Sequence, residues 1–272
     1  MIRHTLPRKN IHRTDVPMMN STIAQYAPSV MADCAHHSRK EHYGFVPTIT
    51  VIDGLRKEGF EVFEVSQRNT RIADRKPFTK HMVRMRHAST FGANEVPELI
   101  LTNSHDGSSS YELMSGIFRF ICSNGLIAGD IFSTVKIRHM GDIVADVIDG
   151  TYKVMENTSA IADRIDTYKS INLSHDEQII FAGAARKLMW GDSSPVDVSL
   201  INQERRYEDT GADLWRTFNR VQENLMQGGL SGRRTNGRRI TTRGVGSIGR
   251  SVDLNRKLWT LADIVAQEKI TH

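Results

Sequence analysis

The spacing of apolar positions changes along this chain from helical to alternating and back to helical. From Thr48 to about Lys57, Ile49, Ile52 and Leu55 recur at helical intervals and Gly59 supplies a stop, which predicts a helix. Alternation then takes over and predicts strands over Phe60 to Ser66, Thr79 to His87 and Pro97 to Asn103. Tyr111 to Cys122, Leu126 to Ala128 and Phe132 to Arg138 continue it, with Gly107, Gly125 and Gly129 at turns. After Gly141 the period lengthens again. Val147, Val154, Ile161, Ile165 and Tyr168 form a helical stripe, and Ser174 with Glu177 makes an S-x-x-E capping box for a helix through Trp190. Leu214, Trp215, Phe218, Val221 and Leu225 mark a further helix; Leu254, Leu258, Leu261 and Val265 mark the last. Strands followed by helices predict an α+β fold, with one antiparallel sheet over about residues 60–138 and Val83, Met85, Val135 and Ile137 on its buried face.

Charge is distributed unevenly over this pattern. Between Gly228 and Val252 lie Arg233, Arg234, Arg238, Arg239, Arg243 and Arg250, seven glycines and no acid. The whole chain carries +5; without those six arginines it carries −1, and without Arg3, Arg8, Lys9 and Arg13 as well, −5. A mildly acidic globule with basic ends suits a polyanion, because each phosphate neutralised releases condensed counterions. The expected organisation is a basic entry segment over 1–47, an α+β core over 48–227, a flexible Gly/Arg segment over 228–252 and a C-terminal helix over 253–272. That flexibility is inferred from the many glycines and the lack of apolar surface.

The two-residue period of a strand adds a second basic feature. Lys80, Arg84 and Arg86 point opposite to Val83 and Met85; Lys136 and Arg138 alternate with Val135 and Ile137; Arg119 sits between Phe118 and Phe120. If the strands are neighbours, one sheet face carries either a basic ladder able to track a phosphate backbone or an ordinary solvated surface.

The densest polar run is NSHDGSSSYE at residues 103–112. Together with HYGFVPT (42–48), FTKHMVRMR (78–86), FRFICSNGL (118–126), RVQENLMQGGLSGR (220–233) and LNRKLW (254–259), it resembles a family of phage- and plasmid-related proteins of unknown function that includes YfjQ, YafZ and YubP. The resemblance covers nearly the whole chain. It implies a protein encoded on mobile elements and carries no catalytic residues across, because the family has none established. A remoter similarity, in strand-then-helix order alone, is to the single-strand annealing proteins of phages, and order alone does not give function.

Candidate chemistry is sparse. Asn103, Ser104, His105, Asp106, Ser108 and Asn124 concentrate donors, acceptors and one possible base, which suits a self-bonded turn, a phosphate cradle or a catalytic site. Consecutive residues on an extended chain point apart, which argues against a triad there. Cys34, His36, His37 and His42 lie close in sequence, yet no C-x-x-C pair or H-E-x-x-H helix accompanies them, so no metal site is expected. GVGSIG at 244–249 follows no βαβ strand, and no G-x-x-x-x-G-K-[ST] loop occurs; no cofactor is expected. Trp190, Trp215 and Trp259 fall on apolar helix faces, leaving Tyr43 and Phe45 as the better stacking candidates.

Apolar residues at 39% and charged residues at 25% place the chain among soluble proteins. No apolar run approaches the roughly 20 residues that cross a bilayer, no h-region follows the basic start, and two cysteines are too few for a disulfide framework. These features predict a cytoplasmic protein without membrane partners, with self-association left open. The expected function is non-enzymatic binding or annealing of nucleic acid, with single-stranded DNA favoured. The alternatives are an interaction protein acting on a host defence or repair factor, and a metal-dependent nuclease centred on His105 and Asp106.

Overall fold

Strands of the first half of the chain pair in the order in which they occur. The computed structural model describes residues 11–38, 45–90, 95–119, 124–127, 135–137, 143–156 and 158–271. In it β1 (Ile11–Arg13), β2 (Phe60–Gln67), β3 (His81–His87), β4 (Glu95–Asn103) and β5 (Tyr111–Arg119) form a consecutive antiparallel sheet. Beyond β5 the sheet continues into β6 (Asn124–Ile127), and β7 (Val135–Ile137) pairs antiparallel with the first residues of β5. Two helices precede β2, α1 (Asn20–Tyr26) and α2 (Thr48–Lys57). Helices dominate after the sheet: α3 (Ile143–Glu156), α4 (Thr158–Ser170), α5 (His175–Trp190), α6 (Val198–Ile201) and α7 (Leu214–Gln227). A hairpin of β8 (Gly228–Arg233) and β9 (Arg239–Arg243) then leads to α8 (Ile248–Thr271). The fold is α+β, and among the described residues no helix is long and apolar enough to cross a membrane.

Contacts divide the chain into two units, Met1–Leu126 with Phe132–Thr158 and Ile127–Ile131 with Ser159–His272. This division near Thr158 replaces the single core expected over 48–227. Arg3, Arg8, Lys9, His42, Tyr43, Phe120, Cys122 and Arg138 lie outside the described residues.

In the first unit one sheet face meets α2 and α3. Val83 and Met85 are fully buried there with Leu99, Leu101, Val51, Ile52 and Leu55, and Val135 packs against this cluster. The opposite face corrects the expected basic ladder. Arg84 and Arg86 are only 3% and 1% exposed, and Arg119, on the other face by register, is 4% exposed. None of the three lines an open phosphate track. Arg84 donates from Nε to Glu98 Oε2 at 2.6 Å, and Arg86 from Nε to Glu98 Oε1 at 2.9 Å. Arg13 grips Glu64, which lies opposite Arg84 on β2. The Arg86 guanidinium sits 3.7 Å over the Phe118 ring and 4.4 Å from that of Phe63. Arg119 pairs with Glu95 at 3.7 Å. Burial alone would raise the Glu64 carboxyl, but Arg13, Arg84 and Arg86 outweigh it and hold the group below its ordinary value. Of the remaining ladder residues, Lys80 lies just before β3, half-buried, and Lys136 is the middle residue of β7.

The second unit is built on aromatic packing. Trp215 stacks on Phe218 at 5.7 Å, and Trp259 meets Phe218 edge-on at 5.6 Å. Buried Arg220 donates to the Asp209 and Gly211 carbonyls, each at 2.8 Å, and so ties down the chain entering α7. The Ser174–Glu177 capping box forms as the sequence predicts.

Residues 228–252 correct a second expectation. They form a hairpin and the first turn of α8, not an unstructured linker, and the C-terminal helix begins at Ile248 rather than 253. The glycines have geometric duties. Gly228 and Gly237 hold φ of 66° and 79°, a region that penalises side chains. A Cβ on Gly232 would lie 2.1 Å from the Pro195 carbonyl oxygen, which instead accepts the Arg233 N–H at 2.8 Å. The hairpin is docked through its backbone.

Two outcomes test this description. Glu98→Gln leaves two buried guanidiniums without their shared carboxylate and should cost about 3–5 kcal/mol in urea unfolding; a loss below about 1 kcal/mol would contradict the pairing. Gly232→Ala should force the hairpin away from Pro195 at a cost of about 1–3 kcal/mol and speed amide exchange at Arg233, while unchanged exchange there would contradict the docking.

Candidate functional site

Strand alternation sorts the hairpin side chains into two sets. Leu230 is buried and Ile240 and Thr242 are half-buried, whereas Ser231, Arg233, Arg239, Thr241 and Arg243 are exposed. Ser231 lies opposite Thr241, and Arg233 opposite Arg239, so two like charges face each other across the strands. Such a pair destabilises a hairpin unless an anion relieves it. At the tip, Gly237 N–H donates to the Arg234 carbonyl at 2.8 Å and Arg234 N–H to the Arg238 carbonyl at 3.0 Å. This closed turn holds Arg234 and Arg238 out in solvent.

Behind the hairpin lies a cleft of about 610 Å³ lined by Arg234, Arg238, Arg239, Arg243 and Arg250. Met189, Trp190 and Pro195 supply its apolar wall. Arg250 is held there by its Nη2, which donates to the Met189 carbonyl at 3.3 Å. Trp190 is half-buried at this cleft, unlike Trp215 and Trp259, which are core residues as expected.

All six arginines from Arg233 to Arg250 are exposed, and among the described residues none forms an ion pair. Four other arginines of the same unit are ion-paired, while Arg186 and Arg205 donate to uncharged oxygens. Arg164 pairs with Asp263, Arg206 with Glu223, Arg216 with Asp213 and Arg220 with Glu204. Five exposed arginines without a described ion pair are thus gathered on the hairpin, with Arg250 beside them in the sequence at the start of α8.

The NSHDG block is a different kind of site. Asn103, Ser104 and His105 are fully buried, which removes them from any surface cradle. Ser104 Oγ accepts from Ser109 N–H at 2.9 Å, and Asp106 Oδ1 accepts from Ser108 N–H at 2.9 Å, so the run closes on itself as a turn. Burial opposes the Asp106 carboxylate, but hydrogen bonds from Ser108 and Ser104 lower its pKa below the ordinary value. His105 points inward, its ring 4.9 Å from that of Phe45 and 5.2 Å from that of His81. Thr48 Oγ1 lies 2.9 Å from His81 Nε2 and 3.3 Å from His105 Nε2, and accepts from Asn103 Nδ2 at 3.1 Å. This buried knot ties the first residue of α2 to β3 and to the end of β4. Among the other candidates, Ser108 is exposed on the turn and Asn124 opens β6.

Burial, with smaller contributions from His105 and Lys80, holds His81 well below the usual imidazole value, so the folded protein keeps it neutral. The unfolded chain takes up a proton that the folded chain refuses. Stability from this group is therefore present above about pH 6.5 and falls by about 1.4 kcal/mol per pH unit below it. Urea unfolding from pH 7 to pH 5 should show that slope and show it reduced in His81→Gln; an equal slope in the variant would exclude His81 as its source.

A family described as a domain of unknown function, DUF932, matches residues 35–259, a span that includes both the buried knot and the hairpin. Two Escherichia coli (strain K12) proteins, UPF0380 protein YafZ and UPF0380 protein YfjQ, are each 42% identical over 255 residues, covering 93% of this chain and 93% of their own. No solved structure matches. At that identity and coverage the α+β chain with its arginine hairpin belongs to the DUF932 family, alongside the UPF0380 proteins YafZ and YfjQ.

Proposed function

We propose that this protein binds nucleic acid through the arginine hairpin, with single-stranded DNA as its preferred ligand, and catalyses no reaction there. The observation that carries the reading is the set of six exposed arginines without an ion-pair partner among the described residues, two of them opposite each other across the strands. Five of the six line one cleft, where an external anion can meet several of them at once. Phosphates spaced along a strand are matched by cations spread from the hairpin tip to the start of α8.

Half-buried Trp190 supports single strands over duplex. An unpaired base can stack on an indole beside guanidiniums, whereas duplex bases are already stacked on each other. Annealing or protecting strands during replication of a mobile element, in the cytoplasm, is the process such binding would serve.

Replacing Arg234, Arg238, Arg239 and Arg243 together with Ala should weaken binding to all single-stranded sequences. The slope of log affinity against log salt should shrink by about 0.7 per lost contact, or about 3 in all. Trp190→Ala should cost about 1–3 kcal/mol on single strands and spare whatever duplex binding is present. Gel shifts at two salt concentrations read both effects. An unchanged affinity and slope in the quadruple variant would refute the proposal and favour an acidic protein surface as the hairpin's partner.

A further inference from the structure

We propose that His36, His37 and Asp74 form a binding site for a late first-row divalent metal ion, Zn²⁺ being the best fitted. The proposal rests on the first unit alone and stands apart from the nucleic-acid reading. His36 Nε2 lies 3.3 Å from Asp74 Oδ2, and His37 Nδ1 lies 3.7 Å from the same oxygen. One ligand atom from each of the three residues falls within 4.8 Å of the others. Tetrahedral Zn²⁺ with bonds of about 2.0–2.1 Å sets neighbouring ligand atoms roughly 3.3–3.4 Å apart. One edge of that figure is therefore in place, and a second is within a few tenths of an ångström.

The site is anchored on one side and adjustable on the other. His36 is 3% exposed, its backbone N–H donates to the His105 carbonyl at 3.0 Å, and its ring meets Phe78 edge-on at 5.3 Å. Ser38 Oγ lies 2.8 Å from His36 Nδ1, which turns Nε2 towards Asp74; that buried Nε2 makes no hydrogen bond. Ser38 N–H donates to His36 Nδ1 at 3.2 Å, so Nδ1 is an acceptor in the free protein; metal on Nε2 would require a protonated Nδ1, with Ser38 Oγ replacing that N–H as its partner. His37 and Asp74 are 76% and 65% exposed and free to close the remaining distance.

Two imidazoles with one carboxylate suit Zn²⁺, Co²⁺ or Ni²⁺ and not Mg²⁺ or Ca²⁺, which favour all-oxygen shells. Three protein ligands leave a fourth position for water. Cys34 is no part of the set: it is exposed, and its thiol bonds the neighbouring Asp33. Bound metal would cross-link the chain after α1 to the 3-10 turn Ala73–Phe78.

The test titrates Co²⁺ into untagged, chelator-treated full-length protein, followed by visible absorption, with Zn²⁺ competition for affinity. One equivalent of Co²⁺ should give tetrahedral d–d bands that Zn²⁺ abolishes. His37→Gln and Asp74→Asn, both at exposed positions, should each weaken binding by more than the roughly 10–100-fold that loss of a supporting partner costs. Cys34→Ser should leave binding unchanged, and a thermal melt of the metal-free variants should match the parent. Absence of stoichiometric Co²⁺ binding, or undiminished binding in the His37→Gln/Asp74→Asn double variant, would overturn the proposal.

Discussion

Two buried guanidiniums share one carboxylate inside the sheet, and the register of the first unit depends on that pairing. Arg84 and Arg86 reach different oxygens of Glu98, while Arg13 meets Glu64 across from Arg84. A one-residue slip of β3 would send both arginines into the face packed by Val51, Ile52 and Leu55 and strip them of counter-charge. The cost of an unpaired buried charge far exceeds what a misregistered apolar contact could return. The pairing is thus weak evidence of net stability and stronger evidence of specificity: this alignment gives each of the two buried guanidiniums a carboxylate oxygen. The buried hydroxyl of Thr48, set among His81, His105 and Asn103, fixes the helix side of the same sheet in a similar way.

Strand positions were legible because alternation records which residues share a face. What lies over that face is not recorded. A solvated basic ladder and a buried one have the same period, and the residues that distinguish them, Glu64 and Glu98, lie 20 and 12–14 positions from the arginines on other strands. The three residues of β1 are too few to show a period, and Asp74 sits in a 3-10 turn that gives no pattern at all. Helices over Thr48–Lys57 and His175–Trp190 were legible to their ends because their stripes and stop or cap signals agree.

Composition misled most where glycine is densest. Seven glycines among arginines read as an entropic linker, yet several occupy positions that only glycine fills without strain or collision. Composition counts the residues. It cannot tell a glycine needed for positive φ at Gly228 or for backbone contact at Gly232 from one that merely loosens the chain. The distinction matters for binding, because charges fixed on a docked hairpin lose less conformational freedom on meeting a ligand than the same charges on a coil.

Arginine therefore has opposite duties in the two units. In the sheet, Arg84 and Arg86 are desolvated, paired internally with Glu98 and little affected by salt. On the hairpin, Arg233 and Arg239 face each other in water with no described acid in range, so their repulsion is part of the free protein's energy and is relieved by any anion that bridges them. Net charge cannot distinguish the two sets; the difference lies in where the glutamates fall. The sheet's Glu64 and Glu98 are taken up by its own arginines, while the hairpin carries its charge on backbone contacts that do not depend on its side chains. That separation lets the hairpin's charge vary without disturbing the sheet's register.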